Sequence, residues 1–319
     1  SIVAGSGSAT VNPITGFITA VRSGTVTLIA NSTGDVNYLS ASTSQTIAIS
    51  AGPQTLIITS SDMLLVGGSL TASVSTTATS SSGGAISYTM TTLGSGSATV
   101  NPVTGFITAI SSGTVNLIAS TTGDTNYLSA TTSQLITIDV GPQTLTITSA
   151  NTLLVGGSLT ASVSTTATSS SGGVLSFSIL AGSGSATVDP DTGFVTAIGS
   201  GTVTLIASST GDINYLPAIA SQTITIGAGP QTLTITSANV LLVGDSLTAS
   251  VNTTATSSSG GSITFSIVTG SGSATVDPVT GLIAAVRSGT VTLIANSTGD
   301  VNYLSASTSQ TIAISAGPQ

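Results

Sequence analysis

Ser23 to Ala41 reads SGTVTLIANSTGDVNYLSA, and this text returns at Ser112 as SGTVNLIASTTGDTNYLSA, at Ser200 as SGTVTLIASSTGDINYLPA and at Ser288 unchanged. In each copy Val and Leu alternate with Thr or Asn, the period-2 pattern of a half-buried strand. A Gly-Asp turn, Asn-Tyr-Leu and a second alternating run such as SQTITI at Ser221 follow. The pattern sets Val26, Leu28 and Ala30 inward, so Ile29 points outward, as do Ile118, Ile206 and Ile294. An outward Ile is either covered by a neighbouring loop or buried against another chain.

Working outward, the tripeptide Gly-Pro-Gln falls at Gly52, Gly141, Gly229 and Gly317, which spaces the repeats by 89, 88 and 88 residues. Repeats of this kind are read before anything else. They divide the chain into 1–51, the rear portion of one repeat; complete repeats at 52–140, 141–228 and 229–316; and 317–319, the start of another. Residues 1–54 match 266–319 except at Ala4, Asn12, Ile14, Phe17 and Thr19. The expectation is a window on a longer array. The additional residue of the first complete repeat falls in Ser87 to Gly96 and predicts a bulge or a longer loop there.

The rest of one repeat is strands and turns. TLTIT places Leu145 and Ile147 on one face; SLTASVS turns Leu159, Ala161 and Val163 inward; VLSFSI aligns Leu175, Phe177 and Ile179. FVTAI is apolar on both faces and leaves its inward side open. Asp189-Pro-Asp-Thr-Gly193 is turn chemistry. Seven or eight short strands without a helical period predict an all-β fold, tandem antiparallel β-sandwiches of immunoglobulin type set end to end. The predicted core includes Leu70 and Val74, Leu159 and Val163, Leu247 and Val251, with the aromatics Tyr88, Phe177 and Phe265. Junctions are short: Gly52-Pro53, Gly141-Pro142 and Gly229-Pro230 leave no linker, and proline stiffens what remains. That predicts a rod with a regular step.

Composition narrows the function classes. Only 4% of the 319 residues are charged; Lys, Glu, His, Cys and Trp are absent, and the cations are Arg22 and Arg287. A net charge of −8 from scattered Asp residues argues against a nucleic-acid partner. The apolar runs are too short to span a membrane as a helix. Without His, Lys, Cys or Glu, a Ser nucleophile has no ordinary base, so no enzyme and no cofactor are expected.

Individual positions offer a few further readings. Asp189 and Asp191 form an Asp-x-Asp-x-Gly stretch, a weak metal candidate against the stronger reading as a turn. The Asp of each Gly-Asp turn (Asp35, Asp124, Asp212, Asp300) is expected to accept N–H bonds within that turn. The following Tyr38, Tyr127, Tyr215 and Tyr303 cap the core or offer a stacking surface for sugars. Ester links from Gln45, Gln134, Gln222 or Gln310 are formally open, and Asn31, Asn252 and Asn296 stand in glycosylation sequons.

SATV-[ND]-P-x-T-G, the aromatic mid-strand, SGTVTLIA and G-D-x-N-Y-L together resemble the bacterial immunoglobulin-like repeats of giant surface adhesins, the invasin and intimin class. The resemblance covers the whole chain. It implies a sandwich fold, an extracellular, cell-surface location and a stalk role, with no ligand specified. The functional expectation is a stiff structural repeat of an extracellular rod or filament whose partners are further repeats and neighbouring copies of itself. The alternative is an adhesin whose repeats bind glycan or a cell-surface receptor. Nearly invariant Ser/Thr/Gly loops favour the structural role.

Overall fold

The computed structural model describes residues 1–79, 83–168, 172–256 and 260–317. The middle of the Thr165–Gly173 loop and the Pro-Gln that closes the sequence lie outside the described residues. All regular structure among the described residues is β-strand. Contacts gather into two compact units: Ser1–Gln143 with Ala167–Gly172 and Gly211–Leu216, and Thr144–Thr166 with Gly173–Thr210 and Pro217–Gln319.

In the first unit, residues 52–140 supply β1 (Leu56–Ile58), β2 (Met63–Leu65), β3 (Ser69–Thr71), β4 (Val74–Thr76) and β5 (Ile86–Thr92). They continue with β6 (Ser97–Val100), β7 (Phe106–Ser111), β8 (Gly113–Thr121) and β9 (Ala130–Asp139). One layer runs β5-β8-β9-β2, antiparallel except that β2 lies parallel to β9 with Leu64 opposite Ile138. The other layer holds β6-β7-β3 and β1-β4. Its two pieces share the run 69–76, because Ala72 N–H bonds to Gly105 and Ser73 C=O accepts from Thr59. Counting that run once gives eight strands. If β1 and β2 are taken as two halves of one first strand, the count is seven: that strand begins beside β4 in one layer and crosses to the other, where its second half pairs in parallel with the last. This order is that of an immunoglobulin-like sandwich.

Alternation decides what faces the core. Val115, Leu117 and Ala119 of β8 are fully enclosed with Ile136 and Ile138 of β9. FVTAI also resolves: Val195 and Ala197 are buried, while Phe194 and Ile198 face out, as do Phe106 and Ile110 of β7. The third run departs from expectation in degree. Leu70, Val74, Leu159, Val163, Leu247 and Val251 take the inward side but are half-buried, and the deeper positions are Ala72 and Ala249 between them. The run breaks there, so its ends lie at the rim. Among the aromatics, Tyr88 and Phe177 are buried and Phe265 is half-buried against its core. The additional residue lengthens a loop rather than making a bulge: 93–96 separates β5 from β6, where 182–184 and 270–272 do so in the second unit.

The second unit repeats the architecture. Thr152–Leu154 lies parallel to Ala218–Gly227, and Val240–Leu242 lies parallel to Ala306–Ser315. In both units the Pro-x-Thr-Gly turn docks on the aromatic strand. Tyr88, Phe177 and Phe265 donate their N–H to Pro102, Pro190 and Pro278 at 3.0, 2.9 and 3.0 Å. The glycine of that turn has two reasons to be glycine. Gly193 has φ +68°, and a Cβ there would sit 3.0 Å from the Ala161 methyl and 3.1 Å from the Phe177 ring. Such a backbone costs an L-residue roughly 1–2 kcal/mol before any clash.

Two expected outcomes test this packing in denaturant unfolding of the full chain. Phe177→Ala should cost about 3–5 kcal/mol, as emptying a core aromatic site does. Gly193→Ala should also destabilise, through strain and contact with the same ring, whereas Thr192→Ala should do so less. Equal stability of Gly193→Ala and the parent would contradict the docking described.

Candidate functional site: the inter-repeat clasp

The Gly-Asp turn builds a small, rigid frame. Asp124 Oδ1 accepts from the N–H groups of Asn126 and Tyr127 at 2.8 and 2.9 Å, while Asp124 N–H bonds back to Tyr127 C=O. Asp35, Asp212 and Asp300 repeat this geometry, as the sequence predicts. The frame aims the asparagine. Asn126 Oδ1 accepts from Ser23 N–H at 2.9 Å, and the Ser23 hydroxyl donates to Thr125 C=O. Asn126 C=O accepts from Gly52 N–H at 2.8 Å, and Leu128 N–H returns a bond to Gly52 C=O. One residue thus holds the serine of the preceding repeat through its side chain and the start of its own repeat through its backbone.

The arrangement recurs with the same atoms. Ser112 N–H meets Asn214 Oδ1 at 2.9 Å within the first unit, and Ser200 N–H meets Asn302 Oδ1 at 2.8 Å within the second. The serine hydroxyls bond to Ile213 and Val301 carbonyls at 2.6 and 2.7 Å. Gly141 and Gly229 donate to Asn214 and Asn302 carbonyls at 2.8 Å. Of the junction glycines singled out by sequence, Gly141 and Gly229 admit no side chain, because a Cβ would fall 2.3 Å from Val66 C=O and 2.2 Å from Val155 C=O, whereas at Gly52 it would meet only Asn126 C=O, at 4.0 Å. Pro53, Pro142 and Pro230 beside them are exposed.

Tyr and Gln complete the frame. The Tyr215 and Tyr303 rings are enclosed, each 3% exposed, and their hydroxyls accept from Thr168 and Thr256 N–H at 2.8 Å. Each ring joins the core of the preceding repeat, Tyr215 with Leu117 and Ile136 and Tyr303 with Leu205 and Ile224, and its hydroxyl is occupied by a loop N–H rather than left to water, whereas Tyr38 is exposed. The glutamine of Gly-Pro-Gln is buried. Gln231 Nε2 donates to Gly260 and Leu304 carbonyls at 2.6 and 2.8 Å, and its Oε1 accepts from Thr253. The serine–asparagine contact and this glutamine are not anticipated by the sequence pattern. Their signal is constancy: Ser-Gly, Asn-Tyr-Leu and Gly-Pro-Gln hold in every copy.

The other candidates do not converge on the clasp. Asp189 Oδ1 accepts from Asp191 and Thr192 N–H at 3.0 and 2.8 Å within its own turn. No group of three or more metal-ligating side chains gathers among the described residues. Ile118, Ile206 and Ile294 lie on the outer side of their strands and are half-buried, as is Ile29. More exposed than these are Phe106, Phe194 and Leu282 on the opposite layer.

No protein-family model matches the chain, and no curated protein does. Solved structures do. A four-domain ectodomain fragment of ICAM-5 is 13% identical, with 93% of this chain and 85% of that one covered and a TM-score of 0.32. Three N-terminal domains of the outer capsid protein Hoc of bacteriophage RB49 are 13% identical over 83% of this chain and 100% of that one, with a TM-score of 0.23. A SusE-like surface polysaccharide-binding protein of Bacteroides thetaiotaomicron is 11% identical over 97% and 68%, with a TM-score of 0.22. The immunoglobulin-like assignment rests on the strand order itself.

Two measurements address the site. Asn302→Ala removes the acceptor of Ser200 N–H, a loss of about 0.5–1.5 kcal/mol. Amide exchange at Ser200 should then accelerate by up to about tenfold, and unchanged protection would remove the clasp from consideration. The second measurement concerns acid. Asp189 is held below its ordinary value by the backbone N–H of Thr192, then by the Thr192 hydroxyl and Asp191 N–H. Asp277 is lowered by the N–H of Thr280, then that of Val279. A depressed folded pKa contributes stability above the unfolded value that disappears as pH falls through the folded one. Acidification through these lowered values should therefore loosen the two turns, while the matching turns at Asn12 and Asn101 stay unaffected, as read by NMR chemical shifts.

Proposed function

We propose that this chain is a structural repeat segment: repeats 52–140, 141–228 and 229–316 step along a stiff extracellular rod, and copies associate side by side. The observation that carries the reading is the clasp, made by the same serine, asparagine and glycine atoms at each junction. A junction with several fixed bonds and no linker resists bending. Lateral association is supported by the near-absence of charge and by outward apolar residues recurring in register, Ile118, Ile206 and Ile294 on one layer and Phe106, Phe194 and Leu282 on the other. Few charges leave little repulsion between rods, and no lysine guards the sheet edges. The extracellular setting rests on the resemblance to adhesin repeats. Binding of glycan or a receptor is the competing role.

Negative-stain imaging of the full chain should find straight particles with similar angles at the three junctions, and Asn126→Ala, Asn214→Ala and Asn302→Ala combined should broaden those angles. Sedimentation should find association that grows with concentration and weakens in Ile118→Ser/Ile206→Ser/Ile294→Ser. Widely scattered angles in the parent, or a monomer that stays dispersed at high concentration, would overturn the rod and the association respectively. Specific retention on a glycan array would favour the competing role.

A further inference from the structure

Where the first strand leaves one layer for the other stands a serine: Ser60, Ser149 or Ser237. Facing it from the last strand is Gln134, Gln222 or Gln310, whose Nε2 donates to the carbonyl of that serine at 3.1, 3.2 and 3.2 Å. That bond fixes the amide plane. In all three complete repeats the same two atoms are then left buried and unpaired, the serine Oγ and the glutamine Oε1.

Buried polar atoms find partners in folded proteins, and two orphans recurring at one place in three repeats mark a site. We infer that each complete repeat encloses one ordered water molecule, which donates to glutamine Oε1 and bonds the serine hydroxyl. The chemistry selects water over its competitors. Oε1 accepts only, so its partner must donate, and Oγ both donates and accepts. The two oxygens make no bond to each other in any copy. A cation would meet neutral oxygens alone, with no carboxylate to offset burial of its charge. Condensation of the serine hydroxyl with the glutamine amide would form a C–O bond, break the C–N bond and release ammonia. That step needs a base for the Oγ proton and a donor for the developing oxyanion, and Oε1 has no donor. The water thus ties the crossing point of the first strand to the last strand and positions the parallel pair that closes the sandwich. Small polar sites of this kind hold water with two to four partners.

The test uses the full chain. Water magnetic relaxation dispersion should count three fewer long-lived waters in Ser60→Ala/Ser149→Ala/Ser237→Ala than in the parent. A high-resolution crystal structure of the parent should place one water at each serine–glutamine pair, which decides the matter even if the variant fails to fold. An unchanged count in a folded variant, a direct Oγ–Oε1 bond in the density, or a metal ion there would overturn the inference. So would an intact mass lower by one ammonia per complete repeat.

Discussion

Each junction carries the same neutral hydrogen bond, from a serine N–H to the side-chain amide of the next repeat. The serine precedes a glycine that the fold forces into an unusual backbone: Gly113 has φ +128° and approaches Gly96 so closely that a Cβ would lie 2.2 Å from its N–H nitrogen. At this tight reversal the ladder can no longer supply a partner, and a buried N–H without one is costly. Asn126, Asn214 and Asn302 supply it from outside the repeat. An asparagine on a mobile loop would lose entropy in doing so. The aspartate two residues earlier removes that cost in advance by fixing the turn.

The aromatic strand and the Pro-x-Thr-Gly turn follow the same logic. A backbone bond from Phe177 N–H to Pro190 pulls the turn onto the ring, and only a glycine tolerates the resulting approach. The ring then closes the core beside Val195 and Leu205. Local turn chemistry and long-range packing therefore select one conformation together, the consistency that makes a landscape funnel-shaped.

Alternation makes the layers legible in the amino-acid sequence. Val-x-Leu-x-Ala and Leu-x-Ile fix the inward faces, and Asp in the Gly-Asp turn is recognisable as a turn acceptor. Three things are not legible there, each for a physical reason. FVTAI carries apolar residues on both sides, so period 2 cannot choose; pairing with β3 and its counterparts does. The depth of Leu70 or Val251 depends on where their strand breaks, which no pattern encodes. The clasp joins Ser112 to Asn214, about a hundred positions apart, and neither residue type announces a partner. Tandem copying holds both constant, and that constancy is the only trace.

Residues 1–51 hold the rear strands of a repeat as well. They form the strands equivalent to β5 through β9 and pair them in the same registers: Ile2 opposes Leu28 as Met90 opposes Leu117. In the complete repeat Leu117 is enclosed in one cluster with Leu64, Val66 and Ala72 of the front strands. The ladders are therefore local, satisfied by neighbours within the five rear strands, whereas the core is not. It closes only when the first strand crosses between layers and its second half lies along the last strand. That crossing is the point held by Ser60 and Gln134. Hydrogen-bonded order and hydrophobic closure are thus separate contributions in this fold, and the serine–glutamine pair is where they meet.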